Sequence, residues 1–258
     1  MDFPPTTVTD DQIRQLETLA ARAWPAAERV ALGPWWLRAS PAPPRRVNSV
    51  FPHGEDAAPD DLATAIDAAE AFYRDRARPP RFQVTQAAVP AGLDAALAAR
   101  GYVVEAPVVV QTLAIADLPP SPAVAGRAVI EPAPTSAWSD LYKNGFGRDV
   151  SDILALIEPA AAYAHWVDDA GDLVALGLGV AEDGWCGVFG MLTRPALRGR
   201  GIGGAVLAAL GDWALAKGAH SLYLQLERDN AAAGGLYTRT GFRTAYGYHY
   251  RTLEAAAP

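Results

Sequence analysis

Thr193-Arg194-Pro195-Ala196-Leu197-Arg198-Gly199-Arg200-Gly201-Ile202-Gly203-Gly204 is the stretch whose reading decides the fold. Its glycines alternate with other residues from Gly199 to Gly203, and Arg198 and Arg200 flank the first of them. Glycine lets the backbone come close to a ligand and turn through positive φ without steric cost. Immediately afterwards Ile202, Val206, Leu210 and Trp213 recur at the spacing of one helical face. The first N–H groups of a helix have no internal partner, and the helix dipole favours an anion in front of them. Together these features describe a loop that holds a phosphate-bearing ligand on backbone N–H groups.

Working outward, the flanks alternate between strands and helices. Upstream, residues 185–193, 173–181 and 161–168 read as strands. Glu182-Asp183-Gly184 and Asp168-Asp169-Ala170-Gly171 form the turns between them. Residues 136–146 and 151–157 read as helices, and 127–131 as a strand. Downstream, Gly218 stands where a helix C-terminal cap belongs. Leu222, Leu224 and Leu226 alternate with Tyr223 and Gln225 along a strand over 221–227. Asn230 suits a helix cap, Gly241 ends that helix, and 242–253 is a final strand or hairpin.

The first half repeats this order with weaker signals. Helices are expected over 12–23, 59–76 and 93–100, and strands over 29–39, 46–51, 81–85 and 102–112. Leu-Ala-Ala-Arg-Gly-Tyr at 97–102 stands where Tyr-Thr-Arg-Thr-Gly-Phe stands at 237–242. The chain therefore reads as a diverged duplication. Its expected parts are residues 1–116, a Pro/Ala-rich linker at 117–126 with no periodicity, and residues 127–258.

Composition sets outer limits. The chain has 258 residues, half of them hydrophobic and a fifth charged, as in soluble globular proteins. A net charge of -7 argues against non-specific binding to nucleic acid or membranes and favours a cationic partner. Cys186 is the sole cysteine, so no intrachain disulfide forms and a reducing, cytoplasmic setting fits. The first dozen residues contain Pro and Asp and no apolar core, so no signal peptide is expected. No run approaches the roughly 20 apolar residues of a membrane span. His53, His165, His220 and His249 show no ligand spacing, so no metal site is expected.

Two stretches carry a family resemblance. Thr193 to Gly203 resembles the V-x-P-x-x-R-G-x-G-I-G acetyl-CoA loop of the GNAT superfamily of N-acyltransferases, with Thr193 in place of the usual Val. Asn230-Ala231-Ala232-Ala233-Gly234-Gly235-Leu236-Tyr237, with Gly241-Phe242, resembles its N-x-x-A-x-x-L-Y-x-x-x-G-F. Both occur in order, separated by one helix and one strand. In addition, Arg46 to Gly54 reads R-x-N-S-V-x-P-x-G, similar to the degenerate N-terminal halves of bacterial tandem acetyltransferases. The resemblance implies an α/β (α+β) fold of two tandem GNAT-like units. Each would be a mixed, mostly antiparallel sheet flanked by helices, with the second unit catalytic.

The resemblance also implies acetyl-CoA as cosubstrate and a small-molecule or peptide amine as acceptor. Backbone groups of Met191, Leu192 and Thr193 would pair with the pantetheine arm like an added strand, and a backbone N–H there would serve as an oxyanion hole. Gly199, Gly201, Ile202, Gly203 and Gly204 would hold the pyrophosphate, with Arg198 and Arg200 adding charge. Arg200 fits solvated surface equally well. Asn230 and Ala233 would face the pantetheine, and Asn230 also suits a plain cap. Gly234 and Gly235 cost about 1 kcal/mol each in a helix, which a close approach by the cofactor or loose packing would explain. Tyr237 would protonate the departing thiolate. Its counterpart in the first half, Leu97, has no proton to give.

No general base is readable. The strand over 185–193 carries no carboxylate. Glu227, His249 and Tyr248 are candidates better suited to structural roles, and an amine that arrives neutral or loses its proton through water is the alternative to any of them. Cys186 reads as a small strand residue. Trp35, Trp36, Arg38, Arg46 and Asn48 read mainly as core and inter-strand residues. The loop from His53 to Asp61 carries four acids, Glu55, Asp56, Asp60 and Asp61, which would repel a pyrophosphate, so the first half is expected to bind no CoA. Gly199-x-Gly201-x-x-Gly204 also satisfies the dinucleotide fingerprint. However, Arg194 to Leu197 intervene after the strand, and the nearest strand-end acid, Glu227, lies too far on. A nicotinamide oxidoreductase is thus the weaker enzyme reading, and a non-catalytic acetyl-CoA sensor is the other alternative.

Overall fold

Local signals place most elements. In the structure, a computed structural model, residues 8–54 and 61–254 are described. The acidic loop lies outside the described residues apart from His53, Gly54 and Asp61. The chain divides into two compact units, one of residues 1–109 and 245–258 and the other of residues 110–244.

The first unit begins with α1 (Asp10–Ala23). Thr9 caps it, accepting from the Gln12 N–H at 3.3 Å while Gln12 Oε1 accepts from the Thr9 N–H at 3.0 Å. Ile13, Leu16 and Leu19 are its buried stripe. The strand expected over 29–39 is two strands, β1 (Glu28–Leu32) and β2 (Trp35–Ala39), paired antiparallel across Gly33-Pro34. Only a short part of the expected 46–51 strand is extended. Arg45–Val47 is a 3-10 turn, and β3 is Val50–Phe51. Asn48 holds that turn, accepting from the Ser40 N–H at 2.9 Å and donating to the carbonyls of Ala42 and Pro44. The helix α2 (Leu62–Arg74) is capped by Asp61. It is followed by β4 (Arg81–Val84), α3 (Leu93–Ala99) and β5 (Val103–Ala114). Trp35, Tyr73, Phe82, Leu97 and Tyr102 centre the core.

The second unit contains β6 (Arg127–Glu131), α4 (Ser136–Phe146), α5 (Ser151–Leu154), β7 (Ala160–Val167), β8 (Leu173–Glu182), β9 (Trp185–Thr193), α6 (Ile202–Ala216), β10 (Ser221–Glu227) and α7 (Ala231–Arg239). The last strand, β11 (Arg243–Thr252), returns to the first unit and pairs antiparallel with β4, His249 opposite Val84. Ile202, Val206, Leu207, Leu210 and Ala214 of α6 are buried in the core of the second unit, with Trp213 partly buried against it. No helix among the described residues is long and apolar enough to cross a membrane.

The duplication is visible in each unit's own geometry. In the first, β1, β2 and β3 are antiparallel, and β3 then pairs parallel with β4 across the crossover helix α2. In the second, β7, β8 and β9 are antiparallel, and β9 pairs parallel with β10 across α6. The two following helices end alike. After α3 the Tyr102 N–H donates to the Leu97 carbonyl at 3.1 Å, and after α7 the Phe242 N–H donates to the Tyr237 carbonyl at 3.0 Å. The strands after these caps are exchanged. From Val110 onward β5 belongs to the second unit, beside β10, whereas β11 completes the sheet of the first.

Candidate active site

The site is built on an interruption in β9. Its register against β8 shifts between Leu176, opposite Leu192, and Leu178, opposite Phe189. The extra residue falls at Gly190-Met191, and Gly190 takes φ +58°. Such a bulge bends a strand and re-aims its side chains. Only glycine fits: a Cβ at Gly190 would stand 2.9 Å from Tyr142 Cε2. Beyond the bulge, Met191 sits over Gly177 and Leu192 against Gly145.

The parallel ladder of β9 with β10 spans only Trp185–Gly187 against Ser221–Tyr223. From there on the two strands part, and among the described residues the end of β9 has no ladder partner on that side. The gap opens into a cleft of about 720 Å³. Arg198 Nε is tied to the Thr193 carbonyl at 3.2 Å, and Gly201, at φ +85°, is the N-cap of α6 with no side-chain hydrogen bond. The N-cap residue of α6 therefore supplies no side-chain acceptor to its first N–H groups.

Met191, Leu192, Thr193, Arg198, Gly199, Gly201, Ile202, Gly203, Gly204, Asn230 and Tyr237 all line this cleft. Arg200 is exposed and outside the lining, in keeping with the surface alternative. The side chain of Ala233 lies outside the described residues. Asn230 starts α7, its carbonyl accepting from the Gly234 N–H at 3.0 Å. A Cβ on Gly199 would meet nothing within 4 Å, and one on Gly203 would approach Leu236 at 3.4 Å.

Tyr237 is 6% exposed, with its ring edge-on to Phe242 at 5.5 Å. Its hydroxyl makes no hydrogen bond among the described residues, and burial pushes its pKa up to about 12. It is therefore a neutral phenol with a proton to donate.

The sequence reading missed several lining residues: Gly145 and Phe146 of α4, the Leu118–Pro122 segment, and Leu197, Leu236, Arg239 and Thr240. Arg239 folds back over Gly235, where a Cβ would lie 3.2 Å from its Nη1. The four-residue spacing of Gly235 and Arg239 on one helix face was the available signal. Arg198 and Arg239 are the charged residues of the described lining, which includes no carboxylate and no histidine. A long cleft with two guanidiniums and a bare helix N-terminus suits an anion. The glycines leave room for backbone contact, so the residues present fit a nucleotide-bearing thioester.

The remaining candidates lie elsewhere. Cys186 is fully buried and burial pushes its thiol up to about 12, which makes it inert. Glu227 is exposed at the end of β10 and does not line the cleft. In the first unit, His249 Nε2 is 2.7 Å from Asp94 Oδ1, and Tyr248 is buried. Arg38, also buried, donates to the Ser49 carbonyl, Ser49 Oγ and Gln83 Oε1. Trp35 is core, and Trp36 stacks on Phe51. No group of three or more metal-ligating side chains occurs among the described residues.

The fold of a bulged strand splaying from its parallel neighbour, with an Arg/Gly loop opening the crossover helix, is shared with solved GCN5-related N-acetyltransferases. A GCN5-related N-acetyltransferase from Kribbella flavida superposes with a TM-score of 0.69 at 18% identity, covering 97% of each chain. A tandem GNAT protein from the clavulanic acid biosynthesis pathway gives 0.65 at 16% identity, covering 97% of this chain and 96% of that one. In sequence, the uncharacterized N-acetyltransferase YobR of Bacillus subtilis is 30% identical over 249 residues, 93% of this chain and 98% of that protein. The chain belongs to the family described as probable histone acetyltransferase Rv0428c, C-terminal, which matches residues 10–251. It is an N-acetyltransferase, so the oxidoreductase alternative falls.

Proposed function

We propose that the second unit transfers an acetyl group from acetyl-CoA to a primary amine by direct attack on the thioester. The observation that carries this is the opening between β9 and β10, lined by the glycine loop, two arginines and no acid. The N–H groups of Gly199 and of Ile202 to Gly204 hold the pyrophosphate, with Arg198 alongside and Arg239 within the same cleft. The free edge of β9 at Met191 to Thr193 pairs with the pantetheine amides, and Asn230 meets the arm from the start of α7. A backbone N–H at the bulge stabilises charge on the carbonyl oxygen.

The amine nitrogen attacks the carbonyl carbon, the C–S bond breaks, and the sulfur takes the Tyr237 proton. The described lining offers no carboxylate or imidazole, so the amine reacts in its neutral form and releases its proton to solvent, from which the Tyr237 phenolate takes one back. Acceptors are small molecules or peptides carrying a primary amine.

A thiol-release assay with acetyl-CoA and a panel of small amines and lysine peptides tests the reading, with mass spectrometry of the acceptor. The expected result is equal amounts of free thiol and acetylated amine. Tight acetyl-CoA binding without turnover on any amine would instead make the chain a sensor.

A further inference from the structure

We propose that residues 118–124 form a fixed wall of the cofactor cleft, and that the rings of Pro119, Pro120 and Pro122 are the surface on which the adenine of CoA lies. This rests on the donor reading above and goes beyond it, because the segment belongs to neither resembled motif.

Contacts order the cleft. Leu192 packs against Gly145 at one end, and a Cβ on Gly203 would lie 3.6 Å from Thr193 Oγ1 in the middle. At the glycine loop, a Cβ on Gly204 or Gly201 would lie 3.5 Å from Pro122. A ligand with its thioester at the β9 bulge and its phosphates on the loop therefore meets Pro122 beside the loop, with Pro119 and Pro120 lining the same cleft. All three line the cleft and are exposed.

The segment is held at both ends. The Ile115 N–H donates to the His220 carbonyl at 2.9 Å, and the Leu118 N–H to the Ile115 carbonyl at 3.0 Å. The Leu118 side chain occupies the space beside Gly211 that a Cβ there would need. At the other end Trp166 Nε1 donates to the Ala125 carbonyl at 3.0 Å, and Val124 packs on Gly201. Prolines fix φ and carry no N–H. The wall thus offers flat apolar rings with no donor to desolvate and little chain entropy to lose on binding. A purine face is the part of CoA that such a surface suits. The protein should accordingly favour donors carrying the nucleotide over those carrying the phosphopantetheine arm alone.

Isothermal titration of the full chain with CoA and with 4′-phosphopantetheine tests this, comparing wild type with Pro119→Ser/Pro120→Ser and checking each by thermal melting. CoA should bind about five- to tenfold more weakly to the variant, toward the low end of what a stacked base contributes. Phosphopantetheine affinity should not change. In Pro120→Trp, CoA should quench the new indole and phosphopantetheine should not. Equal losses for both ligands, no loss for CoA, or no selective quenching would overturn the wall. A wild type that binds no CoA would overturn the donor reading and the wall together. Wild-type CoA binding with an unaffected variant would overturn the wall alone.

Discussion

Replacing Tyr237 by Phe removes one oxygen atom from the cleft and leaves the packing intact. The ring keeps its contact with Phe242, and the lost hydroxyl had no hydrogen bond among the described residues. Folding stability should therefore stay within about 0.5 kcal/mol of wild type. Burial holds the phenol near 12, so it is a protonated donor throughout the working range. A hydrogen bond to a charged partner contributes about 1.5–3 kcal/mol. The sulfur becomes an anion only as the C–S bond breaks, so this falls on the transition state and slows kcat roughly 10- to 150-fold. The ground-state thioester sulfur is a weak acceptor, so KM for acetyl-CoA should change less than about twofold. Steady-state thiol release at saturating amine, beside titration of CoA, measures both quantities. A kcat within about twofold of wild type would remove Tyr237 as the acid, and a matching rise in KM would make it a binding residue.

Substitutions at three further positions probe what holds the site and the first unit. Gly190→Ala puts a Cβ 2.9 Å from Tyr142 at φ +58°, and Tyr142 is wedged between Trp138 and Phe146. Urea unfolding should show a loss of about 2–3 kcal/mol, with less than about 1 kcal/mol contradicting a rigid bulge. Glu17 is buried, accepting from Tyr246 Oη and Gln83 Nε2, and burial raises its pKa. Glu17→Ala removes the carboxylate that both donors share and should cost about 3 kcal/mol, Glu17→Gln clearly less, so equal losses in denaturation would refute the network. Burial, and then the charges of Arg38 and Arg14, lower His53 to about 3. Its unfolded imidazole takes a proton near 6.5, so its contribution is complete above that pH and is lost as pH falls toward 3. By pH 5 the loss is about 2 kcal/mol. His53→Gln should remove this slope from the pH dependence of unfolding, and an unchanged slope would place its origin elsewhere.

Local chemistry was legible in the sequence and long-range partnership was not. The Gly201 start of α6 and the Gly241 end of α7 depend on nearby residues, and both stand where the spacing put them. Gly33-Pro34 split the expected 29–39 strand because a turn signal outweighed a run of strand formers. At 45–47 the chain turns instead of extending, and the Asn48 side chain braces that turn by bonding the Ser40 N–H and the Ala42 and Pro44 carbonyls. The exchange of β5 and β11 left no trace in either strand, since a strand's residues encode its faces and not its neighbour. Composition showed that 117–126 lacks periodicity, but not that Leu118 rests on Gly211 and Pro122 beside Gly204. Arg239 went unnoticed because one arginine on a helix carries no signal until the Gly235 beneath it is read as its seat.

The central claim is that one of two related units holds the donor, on the loop that opens α6. Titration of the full chain with acetyl-CoA tests it most directly, beside Gly201→Val, which forces a branched side chain to φ +85° with its Cβ 3.2 Å from Val124. The account predicts one site per chain, weakened at least about tenfold by the substitution. Two sites, none, or one that ignores Gly201→Val would contradict it.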